Sequence, residues 1–297
     1  MIPYVRKIDF EYGRADQVSP LIRRVIARNP GPFTYTGTGT YIIGHGQVAV
    51  IDPGPDDPAH LAAIQAAIAG ETLAAIVVTH HHADHSPLAL PLQASSGAPI
   101  YGCAVKTHAV DDSGVLTEAG HDMQFHPDVE LCGGGRITGP GWTLEAIPTP
   151  GHTSNHLCYA LLEENAVFTG DHIMGWSTTV ITPPDGDMTD YMKSLDRIRE
   201  RGFDTLWPTH GPPVREPRPF LDGYIAHRRA REAQILGALT DGPKRIEEMV
   251  PTLYADVDPG LWPAASRSVL GHLIDLVRRG LVLTDGAAAA GSIYRRA

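Results

Sequence analysis

Leu73-Ala-Ala-Ile-Val-Val-Thr79, followed at once by His80-His-His-Ala-Asp-His-Ser86, is the stretch from which the rest of the chain can be read. Its first half is an apolar, β-branched run, the composition of an interior strand. A loop at the end of such a strand can aim several short side chains at one point, and α/β proteins place ligands there. His80 and His82 are two apart, so both imidazoles fall on one side of an extended segment. Asp84 and His85 follow where the chain turns. Imidazole and carboxylate are harder zinc ligands. Four of them in one loop outweigh the plainer reading, a polar turn that happens to be rich in His. His81 alternates away and is expected to face solvent or the opposite wall.

Three further strands end in loops that each add one candidate. Trp142 to Ile147 leads to His152, Ala166 to Phe168 leads to Asp171, and Thr205 to Trp207 leads to His210. Taken singly these could be a turn residue, an Asx-turn and a histidine packed on Trp207. Their shared placement after strands favours a common site. His80, His82 and His152 would hold one metal, Asp84, His85 and His210 a second, and Asp171 would be shared. Each metal keeps an open position, which marks a catalytic rather than a structural centre. His156 and His172 are expected around the ligands. His108, His121, His126, His227 and His272 lack a matching context and read as ordinary surface or packed residues.

The remaining pattern is α/β. Residues 17–29 read as a short helix, Phe33 to Gly44 and Gln47 to Ile51 as strands joined by a Gly44-His45-Gly46 turn, and Asp52-Pro-Gly-Pro as a stop. Asp57 can cap a helix with Leu61, Ile64 and Ile68 on its apolar face, and Asp187 another, with Asp190 at the capping-box position. A helix near 86–95 and a strand near 99–102 follow the metal loop, and short strands separated by loops fill 104–136. After a Pro/Arg linker at 214–219 come helices at 220–239, 245–250 and about 264–279, then a hairpin. Three helices and a hairpin are the layout of a winged helix, which divides the chain into units at 1–213 and 220–297.

Composition narrows the class. With 297 residues, 42% hydrophobic and 20% charged, the chain can bury a sizeable core and more than one unit. No apolar run approaches the ~20 residues of a membrane span, and Met1-Ile-Pro-Tyr-Val-Arg-Lys7 lacks a signal peptide's apolar core. A cytoplasmic chain with no membrane partner is expected. Cys103, Cys132 and Cys158 are odd in number and have no CxxC spacing, which predicts reduced, structural thiols. Residues 1–212 hold 12 Lys and Arg against 24 Asp and Glu, while 213–297 hold 12 against 10. An acidic body is a poor non-specific binder of nucleic acid.

The motifs Thr79-His80-x-His82-x-Asp84-His85, Thr149-Pro-Gly-His152-Thr, Phe168-Thr-Gly-Asp171 and His210-Gly resemble those of the metallo-β-lactamase superfamily. The resemblance implies an αββα sandwich with a dinuclear zinc cleft at one edge, followed by a small winged-helix domain. Within the superfamily the chain is similar to the β-lactamase-like protein 2 group, through Asn29-Pro-Gly-Pro-Phe-Thr34, Gly170 to Val180, Asp187 to Leu195, His210-Gly-Pro-Pro213 and His227-Arg-Arg-x-Arg-Glu232. Gly39 stands where that group usually has Asn. The segment Gly175-Trp-Ser-Thr-Thr179 replaces the Gly-Cys-Gly-Arg of glyoxalase II, which argues against a glutathione thioester. The C-terminal module argues against antibiotic hydrolysis.

The expected activity is hydrolysis at two zinc ions, with iron or manganese able to use the same donors. A metal-bridging hydroxide would attack, Asp84 would both bind a metal and orient that hydroxide, and the other metal would stabilise the developing anion. Trp176, Thr178 and Thr179 would wall the substrate pocket. A thioester or ester is the first expected substrate. Single-stranded RNA, cut as by an endoribonuclease, is the second, its track being Trp176 with Arg228, Arg229 and Arg231. A DNA-binding regulator is the third; the open metal positions argue against it, and the weakly charged tail predicts little duplex binding. The tail should pack on the sandwich near the cleft mouth, shaping the groove or a homodimer contact.

Overall fold

The computed structural model describes residues 2–105 and 120–297. The strands expected within 106–119, and His108, lie outside the described residues. Strands β1 (Ala15–Ser19), β2 (Ile22–Ile26), β3 (Gly39–Ile43) and β4 (Gln47–Ile51) run antiparallel. Parallel β5 (Thr72–Val77), β6 (Ile100–Gly102) and β7 (Val129–Glu130) extend them into a seven-stranded sheet in sequence order. Helices α1 (Pro58–Ala67) and α2 (Ala89–Ser96) belong to its outer face. The second sheet contains β8 (Gly135–Gly139), β9 (Trp142–Pro148), β10 (Leu157–Leu161), β11 (Ala166–Gly170) and β12 (Thr205–Pro208), antiparallel except for the β11–β12 pair. Helices α3 (Met188–Arg201) and α4 (Pro217–Ala238) cover its outer side.

Period-two alternation builds the four layers. Tyr41, Ile43, Ala49, Ile51 and Val77 point between the sheets and meet Trp142, Leu144, Tyr159 and Phe168. Their neighbours Ile42, Val48, Val50 and Ile76 point outward onto Ile64, Ala89 and Leu92 of α1 and α2. On the other sheet Cys158, Ala160 and Val167 face outward onto Tyr191, Leu195 and Ile198 of α3. Full burial of a large aliphatic or aromatic side chain stabilises by about 1.5–3 kcal/mol, so a one-residue register slip would expose both faces at once. The result is an αββα sandwich. Asp57 caps α1 by accepting from Ala59 N at 2.8 Å, and Asp187 caps α3 through Asp190 N at 3.1 Å. Asp190 itself pairs with Lys193 instead of closing a capping box.

The tail holds α5 (Ile246–Leu253), α6 (Trp262–Arg278) and the hairpin β13 (Val282–Thr284) with β14 (Tyr294–Arg296). Its core joins Ile235 of α4 and Leu239, the residue that caps it, to Met249, Val269, Leu273 and Tyr294. The first half of α4, with Phe220, Leu221, Tyr224 and Ile225, belongs to the sandwich core. One helix therefore serves both units. Arg267 donates to Pro183 O at 2.7 Å, Arg278 pairs with Asp187, and Thr189 donates to Asp275. Among the described residues no helix is long and apolar enough to cross a membrane.

Four expectations are corrected. Residues 17–29 are not a helix but the β1–β2 hairpin; a short apolar run fits either period, and pairing Ile22 with Ile43 and Ile26 with Gly39 decides for strand. The strand expected from Phe33 shortens to β3, because Gly31, Tyr35 and Gly37 form turns first. Cys103 and Cys132 are not reduced thiols but a disulfide, with Cα atoms 4.8 Å apart. They follow paired residues of the parallel strands β6 and β7, a proximity that their separation of 29 residues does not reveal. Cys158 is free and buried. Arg228, expected on an exposed basic stripe, is 4% exposed, because it faces the sandwich from α4 and not the solvent.

Gly271 of α6 tests how closely the tail is seated. A Cβ there would lie 3.0 Å from the backbone oxygen of Ile181. Gly271→Leu is expected to cost about 1–3 kcal/mol by overpacking and to open the 181–183 segment to hydrogen exchange. Unchanged urea unfolding and exchange in that variant would contradict the packing described.

Candidate metal centre

All seven candidate ligands leave the same edge of the sandwich. His80, His82, Asp84 and His85 follow β5, His152 follows β9, Asp171 follows β11 and His210 follows β12. Each is 8% exposed or less. His80 Nε2 and His152 Nε2 lie 2.9 and 3.3 Å from His82 Nδ1. Across from them, His210 Nε2 is 3.1 Å from Asp84 Oδ2 and His85 Nε2 is 3.7 Å from Asp84 Oδ1. Asp171 stands between the two groups. Its Oδ1 is 3.5 Å from His85 Nε2 and 3.4 Å from His210 Nε2, while its Oδ2 is 3.9 Å from His152 Nε2. The ligand atoms of His80/His82/His152, of Asp84/His85/His210 and of His80/His85/Asp171 lie within 4.8 Å of one another in each set.

These residues fit metal ions. His85 Nε2, His210 Nε2 and Asp171 Oδ1 are buried without a hydrogen-bond partner. A buried polar atom left so costs about 1–3 kcal/mol, and a divalent cation is the group that would satisfy all three. The donors are imidazole and carboxylate only, which suits zinc, iron or manganese.

Proton occupancy follows the same division. Burial drives His80 and His82 well below the ordinary histidine range, and neighbouring imidazoles add to it. Burial also lowers His152, against the pull of Asp171. For His85 burial is outweighed by Asp84, Asp171 and Asp52, which hold it well above that range. His210 is raised too, burial being overcome by Asp171 and Asp84. Asp84 and Asp171 are lowered against burial, by His85 and His210.

A second layer holds the ligands, and its centre was missed in the sequence. Asp52, read only as a strand stop, accepts from Thr79 N at 2.8 Å, Thr79 Oγ1 at 2.9 Å, Thr209 Oγ1 at 2.8 Å and His85 Nδ1 at 2.9 Å. The available signal was a carboxylate ending β4, the strand beside β5. Asn29 accepts from Thr38 N at 2.9 Å, and Thr38 Oγ1 donates to Asp84 O at 3.0 Å. His152 Nδ1 donates to Val180 O at 2.8 Å, and Thr179 Oγ1 donates to Asp171 O at 2.7 Å. His156 meets Thr149 Oγ1 at 2.9 Å, and His172 packs its ring on Tyr191. His81 is buried rather than solvent-facing; it meets Asn155 at 2.9 Å and stacks on His121. At Gly39 an added Cβ would sit 3.1 Å from Thr209 O. Trp176 stacks on Tyr35, while Thr178 and Thr179 line a cavity beside the centre.

The fold and this edge define an αββα protein with a buried His/Asp cluster able to hold metal. Residues 35–210 match the metallo-beta-lactamase superfamily, and residues 246–291 match the beta-lactamase associated winged helix domain. A beta-lactamase-like protein 2 homolog of Caenorhabditis elegans is 33% identical over 277 residues, 90% of this chain and 88% of that protein. An atrochrysone carboxyl ACP thioesterase of Aspergillus fumigatus is 30% identical over 230 residues, 75% of this chain and 66% of that one. The crystal structure of a beta-lactamase domain protein from Burkholderia ambifaria superposes with a TM-score of 0.82 at 21% identity, covering 100% of this chain and 97% of that one. The chain belongs to the metallo-β-lactamase superfamily.

Two outcomes are expected. Asp52→Asn places an amide donor among four donors, so it should destabilise the fold by about 1–3 kcal/mol and weaken metal binding roughly 10–100-fold. Chelator competition and urea unfolding measure both; a neutral result would remove Asp52 from the site. In ion-free protein the raised His85 and His210 stabilise the fold below the ordinary histidine pKa, an effect lost as pH rises through their raised values. The lowered Asp84 and Asp171 stabilise it above the ordinary carboxylate pKa, an effect lost as pH falls through their depressed values. Loading ions near neutral pH should therefore expel protons from His85 and His210. An indicator dye in weakly buffered solution should report acidification on loading, and a flat trace speaks against this charge assignment.

Proposed function

We propose that the chain is a dinuclear metal-dependent hydrolase, zinc being the ion its donors suit, acting on thioester or ester substrates. The observation that carries this reading is Asp171, whose two carboxylate oxygens face different ligand groups. In this reading His80, His82 and His152 would hold one ion and Asp84, His85 and His210 the other, with Asp171 available to both. Bound there, the ions would supply Lewis acidity for activating water and for stabilising developing negative charge.

The chain's own groups do the positioning. Asp84 would accept a hydrogen bond from the attacking water, and its loop is fastened by Thr38 through the Asp84 carbonyl. Asp52 fixes the ring of His85 through Nδ1, leaving Nε2 to point into the centre. Val180 O does the same for His152. Trp176, Thr178 and Thr179 wall the substrate side. The thioester choice is supported by the thioesterase named among the relatives and by the acidic sandwich. The RNA alternative loses part of its track, since Arg228 is buried on Thr179 O and the Tyr191 ring.

Metal analysis should give two ions per chain. The loaded protein should hydrolyse thioesters, and Asp171→Ala should lose at least about 10²-fold in kcat/KM, beyond the 10–100-fold typical of outer groups. A single ion with full activity in Asp171→Ala would sink the dinuclear reading. Efficient cutting of single-stranded RNA, with thioesters untouched, would replace the substrate class.

A further inference from the structure

Between the 177–180 segment and the tail lies a cavity of about 330 Å³ whose lining includes none of the seven candidate ligands. It is near the lower end of the size of small-molecule sites. Phe33, Tyr254, Val257, Leu261 and Ala265 give it an apolar lining. Arg228 and Arg231 line it as well, and no Asp or Glu does, in a chain of net charge −10.

Among the described residues the two arginines have no counter-ion. Arg228 is 4% exposed, donates to Thr179 O, lies 5.0 Å from the centre of the Tyr191 ring, and leaves Nε without a hydrogen-bond partner. Arg231 lies 4.1 Å from the centre of the Tyr254 ring and donates to Leu253 O. Their partners are backbone oxygens and aromatic rings, and among the described residues neither is in an ion pair with a carboxylate. His227, also in the lining, is brought down to about 4 by burial and by these two arginines, so it is neutral near pH 7. Arg231 is half-buried, whereas Arg228 is a fully buried cation, and a buried cation without an anion is costly.

We propose that this cavity binds an amphipathic organic anion: a carboxylate or phosphate monoester head against Arg228 and Arg231, on a short apolar body against Val257, Leu261 and Ala265. The wall it would touch also supports the metal centre. Thr179 accepts from Arg228 on its carbonyl and donates its hydroxyl to Asp171 O, and Val180 O holds His152. The binding site stands on its own residues. Its use for the anionic end of the substrate rests on the hydrolytic reading, so binding is tested apart from activity.

Calorimetric titration of the metal-loaded protein with octanoate, octyl phosphate and octanol separates head from body. At least one anion should bind, and octanol should bind roughly tenfold or more weakly, the scale of one charge-assisted hydrogen bond. Arg231→Met should weaken the anion by a similar factor. Ala264→Phe, which fills the cavity from the tail side, should weaken it too, with both variants melting near the parent. Preference for phosphate or for carboxylate names the head, and either supports the site. Anion binding that survives both substitutions belongs to the metal centre and overturns the proposal. So do equal affinities for octanoate and octanol, or binding of neither anion.

Discussion

The Asp52 carboxylate is the interaction on which this edge of the molecule depends. It sits at the end of β4, at 0% exposure, and binds groups from both halves of the sandwich. Thr79 and His85 come from the loop after β5 in the first sheet, and Thr209 from the loop after β12 in the second. A buried carboxylate that accepts several hydrogen bonds is stable where it stands and costly if one donor is withdrawn. Asp52 adopts a positive φ of 48°, a strained conformation for a non-glycine residue that persists only where its surroundings over-determine it. The four donors supply that over-determination. The two sheets are thereby registered at the point where their loops must converge within a few ångströms.

Much of this was legible in the sequence because the candidate ligands sit at strand ends. The run before Thr79 is short, apolar and β-branched, so it reads as interior strand, which puts His80 to His85 at its mouth. His152, Asp171 and His210 follow the same logic, and the structure brings all seven together. What escaped were relations that no local pattern encodes. Asp52 looked like a turn residue because its partners are 27, 33 and 157 positions away. The Cys103–Cys132 pairing depends on a parallel register between β6 and β7. The β1–β2 hairpin was misread because Ile22, Val25 and Ile26 satisfy a helical period as well as a sheet edge. The face that Arg228 presents is fixed by Tyr191 and Thr179, residues that meet it only in the folded chain.

The tail is bound into the sandwich more deeply than a tethered module would be. Tyr224 of α4 places its hydroxyl 3.1 Å from Met174 N, on the loop that leaves Asp171, and also meets Ser177 O. Arg228, one turn further, grips Thr179. The loop between Asp171 and Val180 is therefore held from one side by its own strand and from the other by α4. Because Val180 O also fixes the His152 ring, a shift of α4 would be felt at two candidate ligands through a single short segment. A winged helix ordinarily suggests nucleic acid, but here the helix preceding α5 and α6 spends its buried surface on the sandwich core.

Electrostatics then separates two neighbouring environments that share that segment. On one side, Asp84 and Asp171 draw His85 and His210 towards the protonated state and Asp52 adds to the pull on His85, an excess of negative charge suited to cations. On the other, burial, reinforced by Arg228 and Arg231, lowers His227 to about 4 and His272 to about 3. Opposite fields on two faces of the 177–180 segment would orient a molecule that carries a polarised reacting group at one end and an anion at the other. Coulomb interaction at such short range is weakly screened when the intervening medium is protein rather than water. The acidic surface of the rest of the sandwich does not oppose this, because a buried charge is felt mainly by what enters the cavity beside it. The chain's overall charge of −10 weighs against extended polyanions, while the local sign of each cavity decides which small molecule it accepts.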